Sequence, residues 1–278
     1  MKSLEGSFEG GGGRSLFYRS WVPMRAVGCV LLLHGYEHSG RYEWVGEQLA
    51  DAGFAVFAPD HRGFGASARP GALADMDSLE KAVEDIGRLV PIARREVPAA
   101  PLFLLGHSIG GMLALLFALR HPEGLRGLIT SGAAVEIPEY ISPLLLQVSG
   151  LLSRLLPLLP AQPFEYHNVC RDPEVIRRIE EDPLYYKGKL RVRTGYQSVL
   201  GIRQVREGLG QLQLPLLVLH GSDDKIISPK ASEAVYAGVS SPDKTLKIFP
   251  GLWHEILNEP ERRQVLELIL GWLRRHLG

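Results

Sequence analysis

The chain has almost no cysteine. The two it holds, Cys29 in an apolar run and Cys170 in a charged loop, exclude a disulfide framework, so a reducing compartment, the cytoplasm, is the expected location. Net charge is missing as well: 31 basic residues balance 31 acidic ones, which removes the electrostatic footprint of a nucleic-acid binder. The opening stretch MKSLEGSFEGGGGRS lacks the apolar segment of a secretory signal. The most apolar later stretch, ISPLLLQVSGLLSRLLPLLP, is interrupted by Pro143, Gln147, Ser149, Arg154 and Pro157, so no membrane span is expected. Glycines Gly10 to Gly13 precede a strand instead of joining a strand to a helix; they read as a hairpin turn, not a phosphate loop. The histidines and acids of HGYEHSGRY and PDHRG have no zinc-ligand spacing. No metal and no cofactor are expected.

What is present is an ordinary globular composition, 45% hydrophobic and 22% charged over 278 residues, enough for one large core. Short apolar runs (LFYRSWV, GCVLLLHG, AVFAPD, PLFLLGH, LRGLITSG, LPLLVLHG, KTLKIFP) alternate with segments of helical period. That alternation predicts an α/β fold with a mostly parallel central sheet flanked by helices. From about Val135 to Gly210 it stops, and short helical pieces are separated by prolines. The expectation is a core of residues 1–134 and 211–278 with residues 135–210 inserted as a helical cap over the sheet's carboxyl edge, where open α/β folds bind ligands.

The motif LLGHSIGG, Leu104 to Gly111, places Ser108 where a buried strand meets a helix, with Gly106 and Gly110 on either side. A nucleophile elbow needs that arrangement, because the turn leaves no room for flanking side chains while it lifts the serine oxygen to the helix N-terminus. Serine requires a base, and the base an orienting acid, in chain order Ser, Asp or Glu, His. Asp223 and Asp224 follow one late strand, and His254 follows the next. Position does not choose between the two aspartates. His34, His107 and His220 end strands and read as loop-organising hydrogen bonders. The backbone N–H groups of Ile109 and Tyr36 are the expected oxyanion donors, Tyr36 because Gly35 lets that loop pass close to the reaction centre. Asp60, Arg62, Gly63 and Gly65 are given a structural role nearby.

The stretches HGYEHSGRYEWVGEQLADAGFAVFAPDHRGFGAS, GHSIGGMLAL, HGSDDKIISP and DKTLKIFPGLWHEILNEPER resemble the monoacylglycerol lipase and lysophospholipase branch of the α/β-hydrolases, grouped with the serine aminopeptidases. The resemblance runs from about residue 14 to 275, strong in the core and loose in the cap. It implies that the acid is Asp224, which closes a G-S-x-D motif. It also implies a serine ester hydrolase acting through an acyl-enzyme on single-acyl lipids such as monoacylglycerols or lysophospholipids. One departure is the loop Gly35-Tyr36-Glu37-His38, a residue shorter than the family's.

Within the leucine-rich stretch and its approach, Ile137, Leu145 and Leu152 are candidate acyl-channel positions, and peripheral membrane contact through the same segment is a further expectation. Each buried methylene contributes about 0.8 kcal/mol, which predicts a preference for medium to long acyl chains. The alternatives are an aminopeptidase using cap carboxylates (Glu136, Glu139, Glu165, Glu180, Glu181, Asp182), a general carboxylesterase, and a non-catalytic binding homologue.

Overall fold

The computed structural model describes residues 1–137 and 143–278. The strands are β1 (Lys2–Gly10), β2 (Arg14–Val22), β3 (Gly28–Leu33), β4 (Phe54–Pro59), β5 (Leu102–His107), β6 (Leu125–Ser131), β7 (Pro160–Gln162), β8 (Leu190–Arg191), β9 (Leu216–Gly221) and β10 (Lys244–Phe249). The helices are α1 (Glu43–Asp51), α2 (Leu79–Glu96), α3 (Ile109–Arg120), α4 (Pro143–Leu155), α5 (Pro173–Glu181), α6 (Val192–Gly208), α7 (Pro229–Gly238) and α8 (Arg262–Arg275).

Eight strands form one sheet in the order β1-β2-β4-β3-β5-β6-β9-β10. It is parallel from β4 to β10, and the β1–β2 hairpin adds antiparallel strands at one edge. Strands β3, β4, β5 and β9 are buried at every position, as continuous apolar runs covered on both faces should be. Alternate side chains serve two layers. Leu31, Leu33 and Leu104 face the layer that includes α2, α3 and α7, while Val30, Leu32 and Phe103 face α1 and α8. Helix α3 is apolar all round, and its residues Ile109 to Ala118 are all buried.

Two elements were not anticipated. Strand β1 buries little beyond Phe8 and Gly10; it rests on backbone pairing with β2 through the glycine turn, where Gly12 and Gly13 take φ of 73°. The short antiparallel pair β7–β8 lies inside the segment where no strand was expected, too brief to carry a period in sequence. That segment has a small cluster of its own, Val169, Cys170, Val175, Ile179 and Tyr185. Its helix α6 nonetheless sends Ile202 and Val205 into the main core, where Gly201 lets the helix approach Met112 of α3.

Polar bonds secure the other contacts. Thr194 Oγ1 donates to Ala74 O at 2.7 Å and accepts from Met76 N, while Leu79 N donates to Gln197 Oε1. Arg193 pairs with the buried Asp75. His38 Nε2 donates to Asp182 at 2.7 Å.

Arg62 is buried, pairs with Asp85 and Asp77, and reaches Gly11 O. Asp60 accepts from Ser39 N and Ala66 N. Both residues therefore tie loops at the sheet's carboxyl edge.

Candidate active site

Between the end of β5 and the start of α3, Ser108 stands at φ 52°, ψ −119°. A non-glycine residue held there stores roughly 1–3 kcal/mol, and the neighbouring glycines show how the fold sustains it. A Cβ on Gly106 would lie 2.4 Å from Gly110 O, and one on Gly110 would lie 2.1 Å from Leu33 O. Strand and helix run too close for any side chain at either place. The Ser108 N–H donates to Ser131 O at 2.9 Å, and Ser108 O accepts from Ala134 N at 3.0 Å.

Ile109 opens α3, so its N–H has no acceptor within the helix. The loop after β3 passes against the serine: a Cβ on Gly35 would meet Ser108 Cβ at 2.8 Å. Glu37, buried beneath that loop, accepts from Gly35 N at 2.8 Å and from the Tyr42 hydroxyl at 2.6 Å, which pins the backbone around Tyr36. The Tyr36 ring is buried against Phe64 and, from the inserted segment, Phe164.

His254 donates from Nδ1 to Asp224 Oδ2 at 2.7 Å. Its ring lies 4.6 Å from that of His107, and a Cβ on Gly132 would touch it at 3.2 Å. The immediate neighbours of Ser108 in β5 and after β6 thus press on this imidazole. Among the described residues no hydrogen bond joins the Ser108 hydroxyl to His254 Nε2, a contact that commonly tightens only with substrate bound.

The two adjacent aspartates part company. The Asp224 side chain is fully covered, with Oδ1 accepting from Ile226 N and Ile227 N at 2.8 and 2.9 Å. Asp223 is exposed and accepts from the Ser222 hydroxyl.

Electrostatics follow the same layout. Burial works against charge on His254, yet the Asp224 carboxylate and its hydrogen bond outweigh it and raise the imidazole above its ordinary value. Burial would raise Asp224; the His254 charge and the bonds from His220, His254 and Ile227 N hold it well below the usual carboxylate range. His107 is pushed down to about 4, first by burial and then by His254, and stays neutral. The two neighbouring imidazoles are thus shifted in opposite directions, His254 up and His107 down. Among the described residues no group of three or more His, Cys, Asp or Glu is arranged to hold a metal ion.

The candidate channel positions are less concentrated. Ile137 is half-buried against the main core, Leu152 is half-buried on α4, and the side chain of Leu145 lies outside the described residues. Leu144, Val148, Leu151 and Leu155 of α4 point outward, between 44% and 69% exposed. Of the carboxylates considered for an aminopeptidase, Glu180 and Glu181 are exposed and bonded to His167 and Arg177, and Asp182 is bonded to His38. Glu165 is exposed, Glu136 half-buried, and Glu139 outside the described residues. An open cavity of about 450 Å³ lies at the outer junction of α1 and α5, lined by Arg19, His38, Trp44, Arg178, Asp182 and Arg262 and not by Ser108, Asp224 or His254.

The family model described as serine aminopeptidase, S33, matches residues 24–261. The chain belongs to this family. The monoacylglycerol lipase of Mycolicibacterium smegmatis is 38% identical over 98% of this chain and 98% of its own. Human monoglyceride lipase is 32% identical over 89% of this chain and 82% of its own. The crystal structure of Paleococcus ferrophilus monoacylglycerol lipase superposes with a TM-score of 0.82 at 28% identity, covering 94% of this chain and 99% of that one. The fold is the α/β-hydrolase fold.

Sequence reasoning passed over one group. His220, read as a loop organiser, donates to Asp224. The available signal was a histidine four residues before an aspartate at a strand end.

Proposed function

We propose that the protein hydrolyses monoacylglycerols and similar single-acyl lipid esters, with Ser108 as nucleophile, His254 as base and then acid, and Asp224 as the orienting carboxylate. In this scheme Ser108 Oγ attacks the ester carbonyl and passes its proton to His254 Nε2. The N–H groups of Ile109 and Tyr36 receive the negative oxygen, each such donor contributing about a hundredfold to a thousandfold in rate. His254 returns the proton to the departing alcohol, leaving an acyl-serine. Water, deprotonated by His254, then releases the fatty acid. The observation that carries the reading is the strained serine held at φ 52° against the loop of Gly35, beside a histidine bonded to a buried aspartate. The names of the M. smegmatis and human relatives supply the substrate class.

Residues 135–210 serve in this reading as a cap over the core of residues 1–134 and 211–278. Its outward row Leu144, Val148, Leu151 and Leu155 follows helical spacing and suits peripheral contact with a membrane surface from the cytoplasm. Among the described residues no helix is long and apolar enough to cross a membrane.

The test is a fluorophosphonate probe and a substrate panel. Labelling is expected in the native protein and lost in Ser108→Ala, and monoacylglycerols of medium to long chain should turn over faster than acetate esters or aminoacyl naphthylamides. An active Ser108→Ala protein, or a rate that peaks on the naphthylamide, would overturn the proposal.

A further inference from the structure

His220, next to last in strand β9, is fully buried, as is Ser232 of α7 beside it. Its Nε2 lies between two acceptors, Asp224 Oδ2 at 2.9 Å and Ile227 O at 3.0 Å, so that nitrogen carries the proton. Nδ1 is then the acceptor for the Ser232 hydroxyl at 2.7 Å, which fixes the tautomer. Asp224 consequently receives His220 and His254 on Oδ2 and two backbone N–H groups on Oδ1. With about four lone-pair sites on a carboxylate, all are taken, and the group cannot turn without breaking a bond.

We propose that His220, held by Ser232, is a positioning residue that fixes the orientation of Asp224 and through it that of His254. The proposal rests on the triad reading above. Its physical content is double. The second N–H on Oδ2 aims the carboxylate at His254 Nδ1. It also disperses part of the carboxylate's negative charge, which would otherwise act in full on the imidazolium. The other ionisable groups facing His254 are His107 from β5, Glu37 from the loop after β3, and Glu255, which is paired with Arg41. None of these bonds to Asp224 among the described residues, so His220 is the group whose removal changes the carboxylate directly.

The experiment compares His220→Ala, His220→Gln and His220→Asn on a soluble ester, with kcat, KM and the pH profile of kcat/KM as readouts. The alanine variant should lose about tenfold in kcat, the size typical of a partner that orients a functional ligand from behind, with KM unchanged. Its acid limb should move to higher pH, because a carboxylate relieved of one donor stabilises the charged imidazole more. Glutamine places an amide N–H near the Nε2 position and should recover most of the rate and the native limb. Asparagine, whose amide falls at the Nδ1 position, should not. Glutamine no better than asparagine, or an alanine variant that melts like the native protein with kcat and limb unchanged, overturns the proposal. If alanine does not fold, the glutamine and asparagine pair decides alone. Ser108→Ala run alongside separates the two failures: an active serine variant overturns the triad and this proposal together, whereas an inactive one with indifferent His220 variants overturns this proposal only.

Discussion

The sheet and the segment inserted after β6 are held by different physics. In the sheet, β3, β4, β5 and β9 are covered at every position, and stability comes from non-directional burial at about 25 cal/mol per Å² of apolar surface. The inserted segment has one small cluster of its own, sends Ile202 and Val205 of α6 into the main core, and is otherwise joined to the sheet's carboxyl edge through directional contacts: Arg193 to Asp75, Thr194 to Ala74, His38 to Asp182, and Arg171 to Glu259. Burial spread over many side chains yields only when the whole core opens. A few oriented bonds can break and reform locally, since local openings cost less than global unfolding. Under the proposed function, this division would hold the serine fixed while the inserted segment adjusts to a lipid substrate.

The largest expected effect attacks the rigid half. Gly110→Ala puts a methyl 2.1 Å from Leu33 O and 2.3 Å from His34 O, both backbone atoms, and should cost about 3 kcal/mol of stability together with nearly all activity. Gly210→Ala, at the far end of the inserted segment, meets nothing within 4 Å and should stay within about 0.5 kcal/mol of the native protein. Urea denaturation of both variants measures the contrast. Equal losses would break it.

The same contrast explains what could be read from the residues alone. Strands buried on both faces, such as Val30 to Leu33 and Leu216 to Leu219, announce themselves as unbroken apolar runs, and the elbow announces itself through Gly106 and Gly110, whose absent side chains are a steric necessity. Strand β1 was illegible because its pairing uses backbone groups that every sequence possesses. The choice between Asp223 and Asp224 was also illegible, since both follow β9 and differ in the direction each side chain takes once Ile226 and Ile227 turn their N–H groups inward. Resemblance to a family points to Asp224, and in the structure it is the Asp224 carboxylate that meets His254. The bond from His220 stayed hidden for a similar reason, as a histidine at a strand end looks the same whether it caps a loop or a carboxylate. The boundary drawn at residue 210 follows the gap in strand pattern. Packing does not follow it, because Ile202 and Val205 of α6 belong to the main core.

A smaller effect is expected where the two regions are clamped. Arg193→Ala leaves the Asp75 carboxylate, 5% exposed, without its guanidinium. Breaking a fully buried pair costs roughly 3–5 kcal/mol, but Arg193 is itself 23% exposed, so solvent screening brings the expectation to about 1–2 kcal/mol. The loss should be local. Proteolysis within residues 135–210 should quicken and KM should rise, while kcat on a small soluble ester and the unfolding of the sheet change little. A drop in melting temperature with no new cleavage in that segment would mean that the insertion and the sheet unfold as one unit, and the comparison would fail.

The smallest effect on the folded protein should come from the outward row of α4. Leu151 and Leu155 are 60% and 67% exposed, so replacing both with serine removes little packing, and the melting temperature and soluble-ester rate should hold. Affinity for a lipid surface should not hold. Two leucines immersed to half their depth contribute about 2 kcal/mol, and their loss should weaken binding to phosphatidylcholine vesicles about thirtyfold, with a matching fall in the rate on monoacylglycerol presented in those vesicles. Co-sedimentation and the vesicle assay read the two quantities separately. If the double variant binds vesicles as the native protein does, the row is not a membrane contact. If instead it loses the soluble-ester rate, those leucines take part in shaping the site, and the division between a rigid sheet and an adjustable, surface-seeking cap would have to be drawn elsewhere.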